Sequence, residues 1–263
     1  MTANASIDGA AIPAAVKSAA RTIDILELLA GSERRLTLSD IQKRLDFPKS
    51  SLHGLLRTLV ARGWVETDDR GTAYSVGLSA LRAGATFLDR DPVVQVASAV
   101  LARLRRQLDE TVHLARLDGA DMVYLASRES PHHLRVTSRI GRRLPAHATS
   151  LGKAVLATLD PVDVGAILPA KLVALTPDTV VEHDELRVEL ADARVRGWAV
   201  ERGQNTPGLT CFAVAIPSVP TVDAISCSIP MTRLNAEHEG QIVTELMAAA
   251  DEIAQLCRAR TPR

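Results

Sequence analysis

The chain has 263 residues and a formal net charge of zero, with 46% hydrophobic and 24% charged residues. At about 100–200 residues per domain, this length predicts two domains of ordinary globular composition. No stretch approaches the ~20 apolar residues of a membrane span, which argues against a membrane protein. The three cysteines, Cys211, Cys227 and Cys257, are too few for a disulfide scaffold and favour a reducing cytoplasm.

The first predicted helix follows an N-terminal arm. Residues 1–14 carry no signal-peptide pattern, and we expect them to form a flexible arm. Between Ser18 and Ala30 apolar residues recur at helical spacing, which predicts an amphipathic helix. Gly31 is expected to end it.

Two further helices are predicted close together. Ser39 and Gln42 fit a capping box at the start of a short helix over residues 39–45. Residues 46–48 leave room only for a tight turn before a second helix over residues 48–62. Two short helices joined by a three-residue turn predict a helix-turn-helix.

The second of these helices has two different faces. Its leucines, at 52, 55, 56 and 59, form the apolar side. Its other side and its first turn offer donors for base edges and phosphates in a major groove. Residues 43–62 contain five bases and one acid, which fits a phosphate-binding face, although a solvated helix face is the alternative. The expected DNA contacts in these two helices are Ser39, Lys49, Ser50, Ser51, His53 and Arg57.

A hairpin is predicted after Gly63. Residues 64–67 and 73–76 alternate like strands, and residues 68–71 have turn chemistry. Helices followed by such a hairpin predict a winged helix, with Arg70 at the tip of the wing placed to touch DNA.

The sequence at this point resembles the IclR family of bacterial transcription regulators. The resemblance is carried, in order and spacing, by Arg21–Leu26, Leu36–Ile41, Pro48–His53 and Arg62–Val65. Two positions depart from the usual family pattern. Asp46 replaces a turn glycine, which is tolerable because Asp can adopt a left-handed conformation. Gly54 replaces an arginine, which removes a basic contact and costs the helix up to ~1 kcal/mol.

The rest of the chain predicts an α+β domain after a linker. Residues 78–89 and 92–108 are expected to be helices, and the resemblance implies that they link the domains and help to form a dimer. Strands are expected at 113–117, 122–127, 134–140, 198–201, 211–216 and 222–229, and helices at 150–159, 185–196 and 236–258. The resemblance implies a GAF-like effector domain. The expected domains are 15–77 for DNA binding, 78–108 as linker and 109–263 for effector binding.

An effector site is expected around the segment His147–Lys153. This segment opens a helix, whose free backbone N–H groups attract anions, although Thr149 or Ser150 as a simple N-cap explains it without a ligand. Gly152 allows close approach of a ligand or of another element. The resemblance implies that further side chains line the same pocket. The complete expected set is His147, Ser150, Leu151, Gly152, Glu201, Cys211, Ser226 and Ser228.

The sequence therefore predicts a DNA-binding transcription regulator, expected to be a repressor, that responds to a small organic acid or aromatic compound. Its expected partners are operator DNA, the effector and a second copy of the chain, in a dimer or a dimer of dimers, with no cofactor. An enzyme is disfavoured because no catalytic motif is present. A redox sensor using Cys211 and Cys227, or a metal sensor using His147 and Cys211, stays open as an alternative.

Overall fold

The computed structural model describes residues 16–136, 139–218 and 222–260. The chain divides into two compact units, residues 1–87 and 88–263, which we describe separately. The expected N-terminal arm, residues 1–14, lies outside the described residues.

The described residues of the first unit contain three complete helices and a small sheet. Leu52, Leu56 and Leu59 of its third helix are buried against Ile25 and Ile41, and a three-stranded antiparallel sheet of order β1-β3-β2 completes the unit. The helix-turn-helix and its hairpin are thus confirmed. The elements are α1 (Lys17–Ala30), β1 (Leu36–Thr37), α2 (Leu38–Leu45), α3 (Lys49–Ala61), β2 (Val65–Thr67) and β3 (Ala73–Val76).

The start of α2 differs from the sequence prediction. Thr37, and not Ser39, is the N-cap: its hydroxyl accepts the backbone N–H of Asp40 at 3.2 Å, and the Asp40 carboxylate accepts the Thr37 N–H at 3.0 Å. The expected capping box of Ser39 and Gln42 is therefore wrong by two residues. The helix starts earlier because Thr37 is still extended, paired with Ala73 as the last residue of β1.

The turn between α2 and α3 has the expected geometry. Asp46 adopts the left-handed conformation, with φ of 51°, and its backbone N–H donates to Gln42. Pro48 is the N-cap of α3 and lies just outside the helix, where its missing N–H removes no intrahelical hydrogen bond.

The second unit is an antiparallel sheet covered on both faces. Its described residues form six strands in the order β6-β5-β4-β9-β8-β7. The helix α4 (Leu78–Arg90) crosses the boundary between the two units. The elements that follow it are α5 (Pro92–Leu108), β4 (Thr111–Asp118), β5 (Asp121–Arg128), β6 (Arg143–Pro145), α6 (Ser150–Leu156), α7 (Pro161–Ile167), α8 (His183–Arg196), β7 (Ala199–Arg202), β8 (Leu209–Ala215), β9 (Asp223–Pro230) and α9 (Ala236–Arg260).

Two hydrophobic cores lie on the two faces of this sheet. On one face, Val100 and Leu104 of α5 and Leu246 of α9 pack against strand residues such as Phe212. On the other face, Leu151 and Val155 of α6 and Leu186 of α8 pack against a second set of strand side chains. The α6 face also carries the polar cavity described below.

One predicted strand is wrong. Of residues 134–140, positions 137 and 138 lie outside the described residues, and the remaining ones form no strand. The edge strand is β6 instead, which pairs with β5 through Leu144 and Met122. The alternation of apolar and polar residues in 134–140 resembles a strand locally, but β5 forms its pairs with the segment that follows. The α+β class is confirmed.

Candidate DNA-reading helix and ligand cavity

The outward face of α3 presents the expected polar side chains. Lys49, Ser50, His53 and Arg57 are all exposed, whereas Leu52 and Leu56 on the opposite side are fully buried. The helix is therefore held by its leucines with its polar groups free to reach a DNA duplex.

Ser51 has an internal partner. Arg21 of α1 donates from Nη1 to the Ser51 hydroxyl at 3.2 Å, and its guanidinium lies 4.9 Å from the centre of the Phe47 ring. This arrangement fixes the start of α3 and brings a cation beside it. In the sequence Arg21 stands out only through the family resemblance, because no local pattern connects it to a residue thirty positions away.

The two remaining expected DNA contacts lie on other elements. Ser39 is exposed in the first turn of α2, and Arg70 is exposed in the turn between β2 and β3. That turn is held by the Asp68 carboxylate, which accepts the backbone N–H groups of Thr72 at 2.7 Å and Ala73 at 3.0 Å. These hydrogen bonds lower the pKa of Asp68, so the turn keeps its charged carboxylate at neutral pH.

The second unit contains a polar cavity of about 40 Å³ on the α6 face of its sheet. Side chains from the strands, from the start of α6 and from the loop before β8 converge on it. The lining residues are His113, Tyr124, Val136, Arg142, Leu144, Thr149, Ser150, Leu151, Glu201, Asn205, Thr206, Leu209, Cys211, Ser226 and Ser228.

The structure brings six of the eight expected effector residues into this lining: Ser150, Leu151, Glu201, Cys211, Ser226 and Ser228. His147 and Gly152 are not among them. The His147 ring lies 3.0 Å from the Val173 carbonyl through Nε2. A Cβ on Gly152 would lie 2.1 Å from the Ala146 carbonyl oxygen, so this glycine permits close packing of two backbone segments. Thr149 is the N-cap of α6, accepting the Gly152 N–H at 3.0 Å.

Glu201 is the buried acid of the cavity. Its Oε2 accepts the backbone N–H groups of Gln204 at 2.8 Å and Asn205 at 3.3 Å. Burial raises the pKa of Glu201 despite these hydrogen bonds. The nearby ammonium of Lys153, itself buried, donates to the side chains of Gln204 and Glu189. This network fixes the loop that follows Glu201 at the end of β7.

Cys211 does not have the properties of a redox-sensing thiol. Its Sγ lies 3.2 Å from the Ser228 hydroxyl, and burial raises its pKa well above the ordinary value of a thiol. Burial also raises the pKa of Cys227. Both groups are therefore protonated thiols at neutral pH, whereas a reactive cysteine needs a low pKa.

His113 lines the cavity, although the sequence analysis did not select it. It is 2% exposed, and burial together with the charge of Arg142 lowers its pKa to about 4. Its ring packs edge-on against Tyr124 at 5.2 Å, and Nδ1 has no hydrogen-bond partner among the residues the structure describes. His113 faces Ser226 across the β4–β9 ladder, a pairing that becomes visible only when the register is known.

Two features are absent from the described part of the chain. Within residues 16–136, 139–218 and 222–260, no group of three or more His, Cys, Asp or Glu side chains could hold a metal ion. Over the same ranges, no helix is both long enough and apolar enough to cross a membrane.

Comparison with known proteins identifies the class. The IclR helix-turn-helix domain matches residues 18–69, and the bacterial transcriptional regulator IclR C-terminal domain matches residues 85–255. These matches, with the exposed reading helix and the separate cavity, define a DNA-binding transcriptional regulator. The chain belongs to the IclR family, which consists of regulators and not of enzymes.

Curated relatives agree over nearly the whole chain. The transcriptional regulator BhcR of Paracoccus denitrificans is 33% identical over 249 residues, which cover 94% of this chain and 89% of the relative. The glycerol operon regulatory protein of Streptomyces coelicolor is 36% identical, with coverages of 91% and 94%. The repressor AllR of Salmonella typhimurium is 33% identical, with coverages of 90% of each chain.

Solved structures confirm the fold. An IclR-type regulator from Alicyclobacillus acidocaldarius superposes with a TM-score of 0.83 at 26% identity, covering 92% of this chain and 99% of its own. An IclR homologue from Microbacterium hydrocarbonoxydans, in complex with 4-hydroxybenzoate, superposes with a TM-score of 0.77 at 28% identity, with coverages of 92% and 99%. The expected winged helix-turn-helix followed by a GAF-like domain is thus confirmed.

Proposed function

We propose that this regulator represses transcription by binding an operator as a dimer, and that a small organic acid bound in the cavity changes its operator affinity. The single observation that carries the proposal is the meeting of six expected effector residues in the lining of one cavity. We assign DNA binding to residues 15–77, linkage and dimerisation to 78–108 and effector sensing to 109–263. The Ser51 hydroxyl accepts a hydrogen bond from Arg21, so we propose that these two residues contact DNA together. The other proposed DNA contacts are Ser39, Lys49, Ser50, His53, Arg57 and Arg70.

The size and polarity of the cavity support a short aliphatic effector. About 40 Å³ accommodates roughly three water-sized groups, so a short acid requires less expansion of the cavity than an aromatic ring does. Arg142 at the cavity offers a cation for a carboxylate, and the hydroxyls of Ser226 and Ser228 can donate to it. Glu201 and the neutral ring of His113 can pair with a second oxygen of the ligand. A short hydroxy acid or oxo acid fits this set of groups.

Repression and dimerisation have separate support. The curated relatives include proteins named as repressors, such as AllR. One winged helix reads a short half-site, and pairing two half-sites multiplies specificity. A coupling of ~1–3 kcal/mol between cavity and operator, about 5–150-fold in affinity, is sufficient for regulation in the cytoplasm.

DNA binding is tested first by fluorescence anisotropy with the intergenic DNA upstream of the chain's own coding sequence, over a series of salt concentrations. We expect sequence-dependent binding that weakens steeply with salt. Arg57→Ala should weaken operator binding by about tenfold. Arg187→Ala, which replaces an exposed arginine of α8, is the matched control and should bind as wild type. Absence of specific binding at every salt concentration would exclude the proposed function.

The effector is tested by adding short hydroxy acids, oxo acids and 4-hydroxybenzoate separately to the protein–operator complex. We expect a short acid to change the affinity, and the double variant Ser226→Ala, Ser228→Ala to abolish the change while still binding operator. Ser127→Ala is the matched control, because the Ser127 hydroxyl is buried in the same sheet but lies outside the cavity lining. A response only to 4-hydroxybenzoate would overturn the aliphatic class, and a normal response of the double variant would overturn the site.

A further inference from the structure

Gly54 lies on the exposed face of α3, and nothing within the fold requires a glycine there. It is two residues from both Leu52 and Leu56, the buried side of the helix, and two residues turn about 200° around a helix. A Cβ added to Gly54 would meet no atom within 4 Å, and its φ is not positive. Neither packing nor backbone conformation therefore explains this residue.

A glycine inside an exposed helix lowers its stability relative to alanine, because glycine loses more backbone entropy on folding. Gly54 lies between Lys49 and Ala61, the ends of α3, and so it carries this penalty in full. A glycine that carries this penalty without a benefit inside the fold fits a site where a partner outside the fold approaches the helix backbone closely.

The exposed residues beside Gly54 indicate which partner approaches this face of α3. Ser50 precedes it by one turn and Arg57 follows it by nearly one turn, and both are exposed on the same face. When a recognition helix enters a major groove, the middle of its outward face meets the base edges and its flanks meet the phosphates. Gly54 occupies the middle of that face.

We propose that Gly54 is the point at which the backbone of α3 lies against the base edges of the operator, and that it determines specificity by the absence of a side chain. The flat backbone surface accepts a base pair that a Cβ would push away. Ser50 and Arg57, on either side, are thereby brought within reach of the neighbouring bases. This inference rests on the proposed function of DNA reading by α3.

The test compares Gly54→Ala and Gly54→Ser with wild type, using the duplex that wild type selects from a random library and an unrelated duplex of equal length. We expect the affinity for the selected duplex to fall by about tenfold or more, the effect of one lost base contact, with Ser at least as damaging as Ala. The affinity for the unrelated duplex should change by less than about twofold, because phosphate contacts persist.

In Gly54→Ala the stability of the first unit should rise while its affinity for the selected duplex falls. In a Trp198→Phe background Trp64 is the remaining tryptophan and reports unfolding of the first unit. Gly54→Ala should raise its melting temperature by roughly 3–8 °C. Loss of operator affinity in a more stable unit cannot be caused by misfolding.

Gly240→Ala is the matched control. Gly240 of α9 also has open space at its Cβ, and its carbonyl accepts the Thr244 hydroxyl at 2.8 Å, as the Gly54 carbonyl accepts Thr58 at 3.0 Å. This control should leave operator affinity unchanged within about twofold. Wild-type affinity of Gly54→Ala for the selected duplex, or an equal loss on both duplexes, would overturn the inference. Failure of wild type to select any duplex would instead overturn the proposed function.

Discussion

Arg116 is bound to Asp223 by two hydrogen bonds, from Nε to Oδ1 at 2.7 Å and from Nη2 to Oδ2 at 2.9 Å. The same guanidinium donates from Nη1 to Asp91 at 2.6 Å. Asp91 also caps α5, accepting the N–H groups of Val93 and Val94 at 3.0 Å each. One cation therefore joins the first turn of α5 to β4 and β9, and both of its carboxylate partners are buried.

Replacing Arg116 should strongly destabilise the second unit. Arg116→Met leaves two buried carboxylates without their cation, and we expect the free energy of unfolding to fall by about 3 kcal/mol at neutral pH. Urea unfolding, followed by Trp198 fluorescence in a Trp64→Phe background, measures it. Burial already raises the pKa of Asp223 against the effect of Arg116, so the deficit should shrink as acid protonates that carboxyl.

The control for Arg116 is Arg135→Met. Arg135 pairs with Glu129 at 2.8 Å, but both side chains are well exposed. Such a pair contributes little, and the variant should stay within about 0.5 kcal/mol of wild type. Equal losses for the two variants would contradict the role of the buried cluster.

The capping box gives a second prediction. Thr37→Ala removes the hydroxyl that accepts the Asp40 N–H, and we expect the first unit to lose about 1 kcal/mol of unfolding free energy. Ser39→Ala, two residues on, should change it by less than about 0.5 kcal/mol, because Ser39 is exposed in the first turn and does not cap. Urea unfolding of both variants, followed by Trp64 fluorescence in the Trp198→Phe background, measures these losses. A larger loss of unfolding free energy for Ser39→Ala than for Thr37→Ala would show that Ser39 is the N-cap of α2.

Elements with strong local signals were predictable. The helix over residues 92–108 has the predicted bounds because Asp91 and Pro92 mark its start and its apolar residues keep helical spacing. The wing was predictable from its alternation and turn residues. The error at 37–42 arose because two hydroxyl residues, two positions apart, can both begin a capping box, and only the pairing of β1 with β3 selects Thr37. The helix α7 was missed because it is one short element without clear periodicity.

The cavity was predictable only where a family motif marked it. Six lining residues were expected from the resemblance, but His113, Tyr124 and Arg142 were not. These three come from β4, β5 and the segment before β6, and their meeting depends on strand register and not on any local spacing. His147 was expected because its segment opens α6, yet its ring bonds to the Val173 carbonyl instead.

Burial of His113 predicts a specific pH dependence. Its pKa falls from 6.5 to about 4 on folding, so between these values the unfolded chain binds a proton that the folded chain does not. The contribution of neutral His113 to the free energy of unfolding should therefore be at its maximum above pH 6.5. It should decrease by about 3 kcal/mol as the pH falls to about 4.

The variant His113→Phe keeps a ring against Tyr124 and cannot titrate. The stability difference between wild type and this variant, from urea unfolding at several pH values, should change in favour of the variant below pH 6.5. A difference that stays constant from pH 7 to 4 would rule out a neutral, buried imidazole.

Gly152 provides a test of backbone packing beneath the cavity. In Gly152→Ala the new Cβ would lie 2.1 Å from the Ala146 carbonyl oxygen and 2.4 Å from its Cα. Because both atoms are backbone, α6 must shift, and we expect a loss of about 3 kcal/mol or more in unfolding free energy. Gly165→Ala in α7 has no atom within 4 Å and should be neutral or stabilising by up to about 1 kcal/mol. The shift of α6 should also displace Ser150 and Leu151, so Gly152→Ala should lose the effector response while Gly165→Ala keeps it. A Gly152→Ala protein with wild-type stability and response would mean that α6 and the Ala146 segment can separate without penalty.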